Sequence, residues 1–150
     1  MHNNMYRGDS MFALDSSLNH QCFHIGNFPL SRLLLVNDVT YPWCILVPER
    51  ENVREIFQLT GKDQQQLIKE SSLLARNLAE LLHADKMNIA ALGNSVPQLH
   101  VHHIVRYVRD PAWPQPVWGK TTPVPYNDEQ RGMVIRTLKS GLGKHCAFVD

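Results

Sequence analysis

Gln98-Leu99-His100-Val101-His102-His103 gathers three of the chain's eight histidines inside an apolar run. Near pH 7 much of an imidazole population is neutral, nucleophilic and able to donate or accept a proton. Burying several of them is costly unless each finds a partner or a use. Read with period 2, Gln98, His100, His102, Ile104 and Arg106 share one face, while Leu99, Val101, His103 and Val105 share the other. Two imidazoles in register on a strand are a rigid pair that can act on one substrate atom. Just ahead, Gly93-Asn94-Ser95-Val96-Pro97 offers an amide, a hydroxyl and several backbone N–H groups, with Gly93 permitting close backbone approach to a ligand. A nucleophilic imidazole beside a donor-rich loop suits attack on a phosphate. The plainer alternative is a half-buried strand whose histidines sit at a surface.

The elements that must position this strand follow from local pattern. Phe12-Ala13-Leu14 is a first anchor and Asp15 to Asn19 a polar bend. Cys22-Phe23-His24-Ile25 reads as a short strand ended by Gly26. Leu33 to Val36 and Cys44 to Val47 are apolar runs joined by a polar turn through Asn37-Asp38 and Tyr41-Pro42-Trp43, an antiparallel pair. Val53 to Leu59 suggests a short helical turn. Thr60 and Asp63 have the spacing of a helix start. The helix that follows runs to about His83, with Leu67, Leu74, Leu78, Leu81 and Leu82 on its apolar stripe opposite Lys69, Glu70, Arg76 and Glu80. Lys86 to Leu92 is a further strand leading into the donor loop. Residues 109–119 carry three prolines and two tryptophans, an irregular segment too aromatic for a disordered linker and expected to pack. Asn127 or Asp128 caps a last helix to about Leu142, ended by Gly143.

These motifs resemble the histidine triad (HIT) family. Gln98-Leu99-His100-Val101-His102-His103-Ile104 is similar to the family's His-φ-His-φ-His-φ-φ motif, with φ apolar, and the strand pair with its Asn37-Asp38 turn is similar to the family's nucleotide-binding strands. The likeness spans roughly residues 12 to 118. Gln98 stands where the first histidine usually is, and His103 takes an apolar position. The resemblance implies an α+β fold, an antiparallel sheet of about five strands with helices on one face, and a homodimer. It implies nucleotide chemistry at an α-phosphate, with His100 as nucleophile and His102 beside it. Asn94, Ser95 and Gln98 would hold phosphate oxygens, and Asn37 and Asp38 would contact the ribose, although Asn and Asp also favour turns on their own account. Gln98 cannot carry a proton near neutrality, which favours a leaving group that needs none. That points to dinucleoside polyphosphates such as diadenosine tetraphosphate, ahead of nucleoside phosphoramidates or a nucleotide-sensing protein without turnover. No cofactor is expected; any magnesium would arrive with the substrate.

By alternation His103 should face the helix-covered core or its edge, either neutral and hydrogen-bonded or close enough to the edge to reach water, and an apolar replacement there should not lower stability. No metal site is expected. His20, Cys22 and His24 could share a strand face, but its ends would lie ~13 Å apart, too far to surround one ion. His100, His102 and His103 are a poor ligand set because His103 faces away.

Length and balance bound the rest. At 150 residues, 43% hydrophobic and 19% charged, the chain reads as one globular domain over residues 12–150 behind a flexible leader at 1–11. A net charge of +1 gives no electrostatic case for nucleic acid or a membrane surface. No apolar run reaches the ~18 residues a spanning helix needs. Three widely spaced cysteines and an N-terminus without an apolar signal core suggest reduced thiols and a cytoplasmic setting. Trp113 and Trp118 are the kind of anchors that subunit interfaces favour.

Overall fold

Three adjacent apolar strands, buried on both faces, hold the structure together. The computed structural model describes residues 12–150, so the leader expected at 1–11 lies outside the described residues. In chain order the elements are α1 (Ser16–Gln21), β1 (Cys22–Asn27), β2 (Ser31–Val36), β3 (Trp43–Pro48), a 3-10 turn (Ile56–Gln58), α2 (Gly61–Leu81), β4 (Lys86–Ala90), β5 (Val101–Arg106), α3 (Asp128–Leu142) and β6 (Ala147–Phe148). The fold is α+β. Its strands form one antiparallel sheet in the order β4-β5-β3-β2-β1-β6. The sixth strand, beyond the five expected, is the two-residue β6, which pairs with Gly26 and Asn27 after α3 turns the chain back.

The two long helices cover one face, where Leu67, Leu74, Leu78, Leu138 and Leu142 pack against Leu33, Leu35, Leu46, Val101 and Val105. The other face carries a thinner layer. There Leu18 covers Leu34, Ile45 and Val47. Residues 15–19, expected as a bend, enter the short helix α1, because Asp15 Oδ1 accepts from the Ser17 N–H and Leu18 is buried beneath it. His20 therefore ends a helix instead of sharing a strand face with Cys22 and His24. No group of three His, Cys, Asp or Glu side chains able to hold a metal occurs among the described residues. No helix among them is long and apolar enough to cross a membrane. The three cysteines are unpaired.

Both long helices start at the capping residues their sequences advertise. Thr60 accepts from the Asp63 N–H, and Asn127 and Gln130 form a reciprocal capping box. The Pro/Trp segment after β5 packs, with Ala112 and Val117 lying against Tyr41 and Ile104. It is tied down by a buried ion pair. Arg106 donates to both Asp110 oxygens at 2.8 and 3.1 Å and to Asn88, and Asp110 also accepts from the Tyr107, Ala112 and Trp113 N–H groups. Burial raises the Asp110 pKa, but Arg106 and the backbone donors overcome this and hold it below the usual carboxylate value. Its stabilisation is thus present at neutral pH and lost as pH falls through that lowered pKa.

One residue on α2 departs from the amphipathic pattern. Glu70, expected on the exposed face, is only 2% exposed. Its Oε1 accepts from the Leu30 and Ser31 N–H groups and its Oε2 from the Ser31 hydroxyl, closing the β1–β2 turn. Burial raises its pKa despite those bonds, so the folded state loses stability as pH rises through that raised pKa and the carboxyl must ionise while buried. Glu70→Gln keeps an acceptor for both N–H groups and should match or exceed wild-type stability at pH 8. Glu70→Ala, which strands two buried donors, should lose about 2–4 kcal/mol, measured by urea denaturation of both variants.

Candidate active site

His100 lies one residue before β5, and His102 is the second residue within it. Their ring centroids are 4.9 Å apart at 72°. The His100 Nδ1–H donates to the Gln98 carbonyl at 2.7 Å. That bond puts the proton on Nδ1 and leaves the lone pair on Nε2.

The ring of His102 is held the opposite way. An indole nitrogen only donates, and Trp43 Nε1–H meets His102 Nδ1 at 3.0 Å. A neutral His102 must then carry its proton on Nε2. That Nε2 is buried with no hydrogen-bond partner, the only such side-chain N or O among the described residues. Burial, assisted by the neighbouring His100 and more weakly by His103, lowers the His102 pKa to about 4. The Leu92 carbonyl, near but outside hydrogen-bond geometry, opposes this only in part. His102 is therefore a neutral donor at physiological pH.

Both rings line a cavity of about 380 Å³, a volume suited to a small molecule. Its other walls are Trp43, Trp118, Ile45, Val36, Leu18, Cys22 and the Asn94-Ser95-Val96 loop. Trp118 stands edge-on to His102 at 5.1 Å and to Trp43 at 5.7 Å. Burial pushes the Cys22 thiol up to about 12, which leaves it protonated. A second cavity, of about 330 Å³, is also lined by His100. It is bordered by Arg54, Glu55, Asn94 and Gln98. Gly93 shapes the loop between them, since a Cβ there would sit 2.8 Å from the Val96 carbonyl oxygen.

A ring with its lone pair on Nε2 and a ring with a buried N–H lacking a hydrogen-bond partner thus line one aromatic-walled cavity beside a polar loop. Residues 17–109 match the family model for the HIT domain, which is more than half of the chain. The chain belongs to the HIT family. It is similar to a histidine triad protein from Marinobacter aquaeolei VT8, at 51% identity and a TM-score of 0.88, over 90% of this chain and 98% of that one. A histidine triad protein from Bradyrhizobium japonicum is 44% identical (TM-score 0.85, 87% and 97% covered). One from Sinorhizobium meliloti 1021 is 41% identical (TM-score 0.87, 90% and 100% covered). No curated relative matches the sequence. HIT-family proteins are typically nucleotide hydrolases or transferases and often form dimers.

Within this HIT fold, His100, His102, Asn94 and Ser95 come together around one cavity. Gln98 does not join them there. Its side-chain Oε1 accepts from the Asp15 N–H and its Nε2 donates to the Ala13 carbonyl, so the amide clamps the segment that enters α1. Of the two cavities beside His100, it borders only the second. Asn37 and Asp38 are also occupied by backbone. Asn37 accepts from the Tyr126 N–H, and Asp38 Oδ1 from the Thr40 and Val124 N–H groups. They hold the returning C-terminal segment to the end of β2, and neither lines the cavities beside His100. Only the Thr40 bond is the turn chemistry that the sequence allowed for; the bonds to Val124 and Tyr126 span 86 and 89 positions.

Two site residues escape a sequence reading. Trp43 looks like part of a turn, and Trp118 like a subunit anchor, yet both wall the cavity of their own chain. Only cross-strand register and the fold of the Pro/Trp segment bring them there. His103 faces the core as alternation requires and is fully buried. Its Nδ1–H donates to the Val101 carbonyl and its Nε2 accepts from the Ser71 hydroxyl at 2.7 Å. Burial lowers its pKa to about 4, so it is neutral.

Ser71, a partner that the sequence did not reveal, changes the outcome expected for an apolar replacement. His103→Val should cost about 1–2 kcal/mol by stranding the Ser71 hydroxyl. Adding Ser71→Ala should recover most of that loss in denaturant melts.

Proposed function

We propose that this HIT protein cleaves the α-phosphate anhydride of a dinucleoside polyphosphate by way of a nucleotidyl-His100 intermediate. The observation that carries the reading is the opposed tautomers of the pair, His100 with its lone pair on Nε2 and His102 with its proton there. His100 Nε2 attacks phosphorus, forming the N–P bond as the bond to the bridging oxygen breaks, and the polyphosphate departs with the electron pair. The Gln98 carbonyl accepts from Nδ1–H and stabilises the positive charge that develops on the ring. His102 Nε2–H, with Asn94 and Ser95 at the loop, donates to the non-bridging oxygens as their charge grows. Water then attacks phosphorus, regenerates neutral His100 and releases a nucleoside monophosphate and a proton.

Leaving-group chemistry favours the polyphosphate. Gln98 has no proton to give, and His102, with a pKa of about 4, stays neutral at pH 7. An amine leaving group requires protonation, whereas a polyphosphate is already a stable anion. The second cavity offers space for departing phosphates next to His100, with Arg54 and Glu55 both at its border. Val36 lines the first cavity and Asn37 and Asp38 follow it in the chain; a ribose contact from them belongs to this proposal. The unpaired cysteines support a cytoplasmic setting.

His100→Ala should lower turnover of a dinucleoside tetraphosphate by at least ~10³-fold while the nucleotide still binds. Quenching a single wild-type turnover in alkaline denaturant, where a P–N bond survives, should trap label on His100. A variant with a tenth of wild-type activity, or faster wild-type turnover of an adenylated amine than of the tetraphosphate, would count against the assignment.

A homodimer is also proposed. β4 is an uncovered sheet edge carrying half-exposed Ile89, a geometry that a second copy can extend. Light scattering should give twice the 17.2 kDa chain mass, and Ile89→Lys should shift the protein toward monomer.

A further inference from the structure

We propose that Trp43 is a positioning residue for His102: its indole N–H fixes the imidazole as the Nε2–H tautomer and so creates the donor that meets the phosphate. The phosphate part of this inference rests on the function proposed above; the tautomer part stands on geometry alone. The β3–β5 register sets Trp43 opposite Ile104 and Ile45 opposite His102, so the indole reaches diagonally to the imidazole. The rings lie 5.6 Å apart at 57°, with a 3.0 Å bond from Nε1–H to Nδ1. Trp118 packs against both rings and restrains their tilt.

The bond has a cost that packing alone does not explain. By claiming Nδ1, it forces the His102 proton to Nε2, a buried atom for which the described residues supply no acceptor in hydrogen-bond geometry, the Leu92 carbonyl only approaching it. The other tautomer would carry a lone pair at Nε2 and repel a phosphate oxygen that approached it. An unmet donor is tolerable in a folded protein when a ligand supplies the acceptor. A phosphate oxygen is such an acceptor, and the cavity presents no carboxylate to compete for the bond. The titratable groups facing His102 are His100, His103 on its own strand and Cys22 across the cavity. None of them is an anion near pH 7 that would draw a second proton onto the ring.

The test uses the full-length ¹⁵N-labelled protein. In the wild type, long-range proton–nitrogen correlation should show His102 protonated only at Nε2 from pH 6 to 8. A coupling across the hydrogen bond should connect Trp43 Nε1 with His102 Nδ1. Detection of the Nδ1–H form, or no such coupling, would overturn the proposal without requiring any variant to fold.

Trp43→Phe keeps a ring but removes the donor. It should release His102 into a tautomer mixture and weaken AMP binding about five- to tenfold, while adenosine binding changes little. Trp118→Phe, which alters packing without touching the donor, should leave the His102 tautomer unchanged. If Trp43→Phe lowered AMP and adenosine affinity equally and kept the pure Nε2–H form, Trp43 would be a packing residue only. A wild type with the expected tautomer but no AMP binding would overturn the phosphate role and the proposed function, leaving the tautomer assignment intact.

Discussion

The antiparallel pairing of β3 with β5 is the constraint on which the site depends. It sets Trp43 opposite Ile104, Cys44 opposite His103 and Ile45 opposite His102. Side chains alternate across a sheet, so a slip of one residue would exchange His102 and His103 between faces. His102 would then meet Ser71 under α2, and His103 would enter the cavity without its present partners. The register resists such a slip because both faces of β5 are buried. Leu99, Val101 and Val105 lie in the core beneath the helices, and Ile104 is sealed by Tyr41, Ala112 and Val117.

Three adjacent imidazoles are thereby given three different environments. His100 donates to a backbone carbonyl two residues away and keeps a lone pair at Nε2. His102 accepts from an indole and keeps a proton there. His103 both donates and accepts, and no nitrogen is left for chemistry. The difference lies in what each nitrogen meets, since the side chains are identical. Assigning one nitrogen of a neutral ring fixes the other.

The periphery of the site is built from side chains that bind backbone. Gln98 holds the entry to α1, Asn37 and Asp38 hold residues 124–126, and Asp110 gathers the turn after β5. These segments lack sheet partners of their own, so their N–H and C=O groups must be satisfied by such side chains. The result positions Trp118 over His102. The departure of Gln98 from the family motif follows the same logic: its amide has a donor and an acceptor and joins two backbone groups at once.

The sequence by itself determined the antiparallel strand pair, both long helices with their Thr60 and Asn127 caps, the strand character of residues 101–106, and the opposite orientation of His102 and His103. Each of these follows from interactions a few residues long or from a strict period. It also determined that His100, His102, Asn94 and Ser95 belong together, because they are close in the chain. Tertiary structure alone decided that Glu70 is buried against the β1–β2 turn, that Ser71 answers His103, that Gln98 binds residues 83 and 85 positions away, and that Trp43 and Trp118 wall the cavity. Polar side chains choose partners by spatial proximity after the sheet and helices have docked. Their local pattern is that of ordinary turn or surface residues, so the sequence carried no signal for these distant contacts.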